Sequence, residues 1–408
     1  MEKVILCIGT LDTKGTELLY VKQLIDNKSN FKAMIMDVGC LDGPYFQANI
    51  TAEEVAEAAG RTIGEIRAID EAGPAIAIMT SGAKKIAGEL YNSGYFQGIL
   101  SIGGGTGSAI ASAVMKELPI GLPKFMLSSQ KIVQAGIRQY IGTRDIVIMP
   151  SVADIAGLNR LTIDALNKAV GAITGMMEME EQVMSEKPLI FMTMTGLSTG
   201  CGLTVKTLLE EKGFEVGVFH TIGVGGETFE EMVKRYPVTG VIELGLNEIG
   251  NELFGGLASA GPDRLEAAGK LGIPQIITPG CIDIINFLSP ETVPEYYRDR
   301  VICYHNPQAT LPRMNAEELR QVAETISRKL NMATGKVKFL IPLRGFSSID
   351  KEGNDFHNAA ADRAFIQSLK ETLKKDIEIK EVDAHINDIA FSHMIVNEFI
   401  NIIKVSKD

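Results

Sequence analysis

The feature that most constrains this chain is a repeated local order: a short apolar run, a glycine-containing turn, then a helical segment. Residues 4–8 run apolar into Gly9 and are followed by an amphipathic segment over 13–27. Further strand-like runs stand at 33–38, 75–79, 98–102, 124–127 and 146–149, with helical stretches between them. Thr51-Ala52-Glu53-Glu54 opens one of these as a capping box, in which Thr51 and Glu54 each satisfy an orphan amide. Such alternation predicts a parallel sheet with helices on both faces, because parallel neighbours need a crossover. Near 176–187 the order breaks: a long helical stretch ends in Glu178-Met179-Glu180-Glu181-Gln182, and Lys187-Pro188 precedes a new apolar run. It then restarts, with strands expected at 188–192, 215–219, 241–244, 275–277, 302–305 and 337–341. Asn315-Ala316-Glu317-Glu318 forms a second capping box, and a C-terminal helix is expected over 390–403. The expected fold is α/β: two doubly wound Rossmann-like domains, 1–182 and 183–408, with parallel sheets facing a central cleft.

Composition removes several function classes. With 40 Lys plus Arg against 51 Asp plus Glu, the formal charge is −11, which disfavours nonspecific nucleic-acid or anionic-membrane binding. No run approaches the roughly 18 apolar residues of a membrane span, and the first run is too short for a signal-peptide core. The five cysteines are odd in number and scattered, with no C-x-x-C, so neither a disulfide scaffold nor a zinc ribbon is expected. A cytoplasmic protein with reduced thiols is the expectation. Glycine, 41 of 408 residues, is enriched above the roughly 7% average, and it concentrates in particular turns.

In open parallel sheets ligands lie beyond the carboxyl ends of the strands, at the switch in strand order. After the first run come Gly9, Thr10, Asp12, Thr13, Lys14, Gly15 and Glu17. A helix N-terminus there favours anions: Lys14 reaches a phosphate, and Asp12 holds Mg²⁺ or acts as a base. The plain alternative is that Asp12 or Thr13 caps the helix while Lys14 stays solvated. After 99–102 come Gly103, Gly104, Gly105, Thr106, Gly107 and Ser108. Consecutive glycines remove every Cβ, so backbone amides approach a phosphate closely, with hydroxyls added by Thr106 and Ser108. No Gly-Lys-Ser/Thr follows, so this is not a Walker A loop. Asp37 to Gly39, at the end of the second strand, offers ribose contacts, and Ser81 follows the run at 75–79.

The second half repeats the device at Thr195-Gly196-Leu197-Ser198-Thr199-Gly200 and at Gly223-Val224-Gly225-Gly226-Glu227. Taken singly these are ordinary turns; as a pair, Ser198, Thr199, Gly225 and Gly226 are expected to meet a second anionic group. Glu243, His305 and Asp350 stand at or near strand ends and join Asp12 as acid–base candidates. His220 also closes a strand, whereas His357, His385 and His393 fall at the periphery. No histidine pair has helix-ligand spacing, so no protein-bound transition metal is expected. Asp263 is expected as a cap, with Arg264 an ion-pair partner or a phosphate contact.

Taken together and in order, Gly9 to Gly15, Gly103 to Ser108, Gly261-Pro262-Asp263-Arg264-Leu265-Glu266-Ala267-Ala268, Pro279-Gly280 with Asp283 and Asn286-Phe287, and His305-Asn306-Pro307 carry a resemblance. The chain resembles the ATP-binding domain family of the tomato mosaic virus resistance protein, across essentially its whole length. The resemblance implies two Rossmann-like domains, a bound adenine nucleotide and homodimers; it implies no particular reaction. Gly103 to Ser108 is also similar to the phosphate-binding signature of the tubulin and bacterial division GTPases. There Ala109 replaces the final glycine and the catalytic loop is missing, so the likeness reads as convergence. The expected function is a cytosolic ATP-binding enzyme, with Mg²⁺ as the nucleotide's companion, transferring a phosphoryl or nucleotidyl group to a small metabolite. A non-catalytic nucleotide-gated module and a sugar-nucleotide enzyme of the two-Rossmann type are the alternatives.

Overall fold

The computed structural model describes residues 2–41, 43–129, 132, 136–179 and 185–405. The chain divides into two compact units, Met1–Val183 and Met184–Asp408. The expected boundary at 182/183 falls outside the described residues.

In chain order the first unit holds β1 (Lys3–Gly9), α1 (Leu11–Asp26), β2 (Phe31–Asp37), α2 (Ala52–Ala58), α3 (Ile63–Arg67), α4 (Ala72–Asn92), β3 (Gly98–Gly103), α5 (Gly105–Glu117), β4 (Lys124–Ser128), α6 (Arg138–Ile141), β5 (Val147–Pro150) and α7 (Arg160–Glu178). Among the described residues these strands form one parallel sheet in the order β2-β1-β3-β4-β5. Both faces are covered, which is why the strands read as unbroken apolar runs. Leu6, Ile8, Ile99 and Met126 pack with Val55, Met79 and Ile110 on one side. Ile5, Cys7, Leu100 and Leu127 pack with Leu18, Leu166 and Ile173 on the other. The chain leaves β1 for β2 on one flank and then crosses to β3 on the other, so the strand order switches between β1 and β3.

The strand expected at 75–79 is instead part of α4. Ala75, Met79, Ala83 and Ala87 are buried at four-residue spacing, and Gly73-Pro74 sits in the helix's first turn, where proline costs no hydrogen bond. A short apolar run does not by itself distinguish strand from helix. Ser81 therefore lies exposed in mid-helix, not at a strand end. Its neighbour Gly82 serves packing, since a Cβ there would lie 1.9 Å from the Val55 carbonyl oxygen.

The second unit holds β6 (Leu189–Met194), α8 (Thr199–Glu211), β7 (Glu215–His220), α9 (Val224–Arg235), β8 (Gly240–Glu243), α10 (Asn247–Phe254), α11 (Ala267–Lys270), β9 (Gln275–Ile277), β10 (Ile302–Asn306), β11 (Ala309–Pro312), α12 (Ala316–Leu330), β12 (Val337–Pro342), α13 (Ala359–Thr372), β13 (Glu378–Val382) and α14 (Ile389–Val405). Its parallel sheet runs β13-β12-β9-β8-β6-β7. Read from the β7 edge, this is the winding of the first unit with one strand added. The switch here falls between β6 and β8. The run ending in His305 is not a strand of this sheet: β10 pairs antiparallel with β11 as a separate hairpin, and His305 is exposed on it. The exposure of residues 304–306 suits a two-stranded ribbon, whereas a central parallel strand would be buried on both faces.

The second switch is filled by Arg264, whose side chain is fully buried. Its guanidinium meets Glu243, the last residue of β8, through two hydrogen bonds of 2.6 Å, Glu248 at 2.7 Å and Glu230 at 3.1 Å. The hydroxyl of Thr193 on β6 donates to Glu243 at 2.7 Å, closing the gap between the two strands. Glu230 also accepts the amides of Leu265 and Ala267, holding Leu265 at a left-handed φ of 71°. Breaking a buried ion network from one side leaves uncompensated charge. Arg264→Met is expected to lower the stability of the second unit by about 3–5 kcal/mol in urea unfolding. Lys270→Ala, which removes a solvent-facing pair with Glu266, is expected to leave the unfolding midpoint nearly unchanged. Equal, small losses would show that the network is not what seals this switch.

Candidate functional site

At the first unit's switch, between the ends of β1 and β3, the structure leaves a cavity of ≈ 420 Å³. One end is polar, lined by Thr10, Asp12, Thr13 and Lys14 from the start of α1 and by Gly104, Gly105, Thr106 and Gly107 from the start of α5. The rest of the lining is mostly apolar, with Val38, Leu41, Ile66, Ile69, Ala75 and Ile76, and it also carries the charged pair Arg67 and Asp70. Gly104 is the N-cap of α5 and offers no side chain to the helix's first amides. A Cβ on Gly104 would meet nothing within 4 Å, so that face of the turn is open. The first turn of α5 therefore presents main-chain donors and the positive end of a helix dipole to the cavity.

The α1 side works differently, through side chains. Its amides are largely taken: Leu11 N donates to Asp37 at 2.9 Å, and Thr13 N and Lys14 N both donate to the Thr10 carbonyl. The hydroxyls of Thr10 and Thr13 bond each other at 2.7 Å. Lys14 leaves helical geometry, with φ −128°. Asp12 accepts the Leu41 amide on Oδ2 at 2.9 Å, while its Oδ1 is shielded from solvent and has no hydrogen-bond partner. Gly39 makes room for this carboxylate: a Cβ there would lie 2.6 Å from Asp12 Oδ2.

Several residues expected to touch a ligand turn inward. Asp37 is buried and spends Oδ1 on the amides of Leu11 and Gly39, at 2.9 and 2.8 Å, tying the end of β2 to the start of α1. Neither it nor Gly39 lines the cavity, so the ribose contacts expected of them are not what this geometry offers. Ser108 is fully buried, and its hydroxyl bonds Ser128 at 2.6 Å, fastening α5 to β4. Gly9 and Gly103 are close-packing positions: a Cβ on Gly9 would lie 2.9 Å from the Ile102 oxygen, and one on Gly103 2.9 Å from the Ser108 nitrogen. Ser81 lies away from the cavity lining on α4. The apolar wall from α3 and the start of α4 was not among the expected site residues. Its only sequence signal is an Ile66/Ile69/Ile76 grouping that reads equally as core.

In the second unit the glycine loop at 223–226 already holds an anion, and it belongs to the protein. Glu248 Oε1 accepts the amides of Gly223 and Gly226 at 2.8 and 3.0 Å, and a Cβ on Gly226 would lie 1.9 Å from Oε2 of the same carboxylate. Gly225 is pressed against the His220 carbonyl, with an ideal Cβ 1.7 Å from its oxygen. At the other loop, Ser198 is buried with Oγ accepting the Thr195 amide, and Thr199 donates to the Thr195 carbonyl. Asn387 accepts the Cys201 amide and donates to the Leu197 oxygen. The second anion site expected at Ser198, Thr199, Gly225 and Gly226 is thus replaced by internal caps. Glu243 is bound on both oxygens by Arg264 and Thr193, which leaves it no acid–base role. Asp350 is buried with Oδ1 2.8 Å from Nδ1 of His357, a histidine the sequence placed at the periphery.

The chain belongs to the Uncharacterised protein family (UPF0261): the family's N-terminal domain matches residues 3–182 and its C-terminal domain residues 187–403. It is 37% identical over 406 residues to a UPF0261 protein of Clostridium tetani, covering 99% of this chain and 100% of that one. It is 30% identical over 425 residues to the ToMV resistance protein Tm-1(GCR237) of Solanum lycopersicum, covering 98% of this chain and 55% of that protein, about half its length. A solved UDP-N-acetylglucosamine 2-epimerase from Rickettsia bellii aligns over 99% of this chain and 96% of its own, at 11% identity and a TM-score of 0.25. A superposition that loose bears on neither site nor function. Among the described residues no helix is long and apolar enough to cross a membrane.

The buried Asp37 carboxyl is pushed up to about 6 by desolvation, outweighing its two amide donors, with the nearby Asp12 charge adding to the rise. A folded-state value above the unfolded one means that the protonated carboxyl favours folding. That contribution is complete below about pH 4 and lost as pH rises through about 6. Asp37→Asn keeps an oxygen for both amides, so it is expected to flatten the decline in the first unit's melting temperature between about pH 4 and 6.5. Parallel pH profiles for the two proteins would show that Asp37 ionises without cost to folding.

Proposed function

We propose that the first unit binds a nucleoside triphosphate, ATP by preference, and that the protein transfers a phosphoryl or nucleotidyl group from it to a small metabolite. One observation carries this reading. The start of α5, Lys14 and Asp12, whose Oδ1 has no partner, line one cavity whose remaining wall is mostly apolar with Arg67 and Asp70 among it. Phosphates are recognised by main-chain donors at a helix start, and a base needs an apolar slot beside them. Asp12 Oδ1 fits a Mg²⁺ bound with the nucleotide, because that ion takes one or two carboxylates and keeps phosphate and water as its other ligands. Lys14 would neutralise charge on the transferring group, and such positioning and neutralisation is the chief protein contribution to phosphoryl transfer. Of the four acid–base candidates only Asp12 lies at this cavity. The metabolite would therefore be activated by that carboxylate or by groups of its own.

The test exploits Gly104, where a side chain has room in the free protein. Gly104→Val is expected to fold normally, with an unchanged circular dichroism spectrum, and to weaken ATP binding roughly tenfold or more by calorimetry. Asp12→Asn is expected to abolish the gain in affinity from Mg²⁺ while leaving metal-free ATP binding largely intact. Binding of ATP unaffected by Gly104→Val would move the nucleotide elsewhere. Tighter binding of UDP-N-acetylglucosamine than of ATP would overturn the choice of nucleotide.

A further inference from the structure

We propose that the second unit carries a site for one divalent first-row transition ion, such as Mn²⁺ or Zn²⁺, formed by Asp350, His357 and Asp362. The three residues come from the loop that leaves β12 and from the first turn of α13, at the carboxyl end of the sheet, where parallel-sheet proteins place their chemistry. Each offers one ligand atom, and these atoms all lie within 4.8 Å of one another. Metal–ligand bonds of about 2.0–2.2 Å bring neighbouring donors to about 3–4 Å, so small side-chain adjustments close the set on an ion. Asp350 is fixed in place, since its Oδ2 accepts the Phe346 amide at 3.0 Å and its Oδ1 lies 2.8 Å from Nδ1 of His357. Asp350 is completely buried, whereas the His357 side chain is 21% exposed, which gives the cluster one face toward solvent.

A second observation points the same way. Asp283, from the loop after β9, is completely buried, and its Oδ1 has no hydrogen-bond partner. Its other oxygen accepts the Ser347 hydroxyl at 2.7 Å, and the same Ser347 oxygen accepts the Asp350 amide at 3.2 Å. Arg313 is the guanidinium nearest these carboxylates: it lies 2.6 Å from Asp362 and 3.8 Å from Asp350, with the Asp283 charge also acting on it. Asp283 Oδ1 receives no donor in this low-dielectric interior, and a bound cation would offset the desolvation of the carboxylates gathered there. An imidazole with two carboxylates selects first-row transition ions over Mg²⁺ and Ca²⁺, which prefer all-oxygen shells. Sequence spacing hid the set because its only histidine has no histidine partner at helical distance. The ligands are instead brought together by a loop that turns back into a helix.

The metal alone is the probe. Full-length protein stripped with chelator is expected to take up one Zn²⁺ or Mn²⁺ per chain by calorimetry and elemental analysis, and none of equal affinity when offered Mg²⁺ or Ca²⁺. His357→Ala and Asp362→Asn are each expected to weaken binding roughly tenfold or more, with folding monitored by circular dichroism. Asp12→Asn, in the other unit, is expected to retain the ion, which separates this site from any Mg²⁺ held with a nucleotide. No uptake at millimolar metal, or an affinity unchanged in His357→Ala, would overturn the proposal. So would loss of the ion in Asp12→Asn alone.

Discussion

Every strand-to-helix turn in a parallel sheet delivers unpaired backbone amides to the same rim of the sheet, and each must find an acceptor. What distinguishes the regions of this protein is who supplies that acceptor. Around the second sheet it is the chain itself: Glu248 for the loop at 223–226, Asn387 and the Thr195–Ser198 pair for the loop at 195–201. At the end of β3 the cap is Gly104, with no side chain to give, and the turn opens on a cavity. The two units share a winding, and the difference in capping leaves one switch point open on a cavity and makes the other a piece of core.

That difference explains which expectations were legible. The two α/β units and their parallel sheets follow from apolar runs alternating with helical stretches, because a strand buried on both faces has no polar side to show. The cavity end at Thr10, Asp12, Lys14 and Gly104 to Gly107 was legible because glycines and charged groups gather after two strands that the topology makes neighbours. Glycine identity alone, however, does not say why a Cβ is excluded. At Gly9 and Gly103 it is excluded by the main chain of an adjoining segment, at Gly226 by Glu248, and at Gly104 by nothing in the protein. Only the last case leaves room for a ligand. The partner that fills a glycine turn lies tens of residues away, and no local pattern reports it.

The charged residues divide by the same logic. Glu243 stood out as a carboxylate at a strand end, yet it is bound on both oxygens because Arg264, remote in sequence, reaches it. Asp37 stood out for the same reason and is an acceptor for two amides. His305 misled in another way. The run before it is apolar enough for a strand, but an antiparallel hairpin needs a strand too, and pairing partners are set by tertiary contact. His357 shows the converse: a histidine without a patterned neighbour becomes informative only when a buried Asp350 is found holding its ring.

The two carboxylate clusters of the second unit also show how burial separates structure from chemistry. Around Arg264 three glutamates face one guanidinium, but their oxygens are spent on it, on backbone amides and on Thr193, so the cluster is saturated with donors. Around Arg313 the count of carboxylates to guanidinium is the same, and donors run short: Asp283 keeps an oxygen with no partner. A saturated cluster stiffens the sheet and has no use for a ligand. An undersupplied one retains an uncompensated desolvation cost, and a histidine at its solvent-facing side gives a cation somewhere to enter. Three carboxylates around one guanidinium therefore give a saturated cluster in one place and one short of donors in the other, decided by how many donors the surrounding chain supplies.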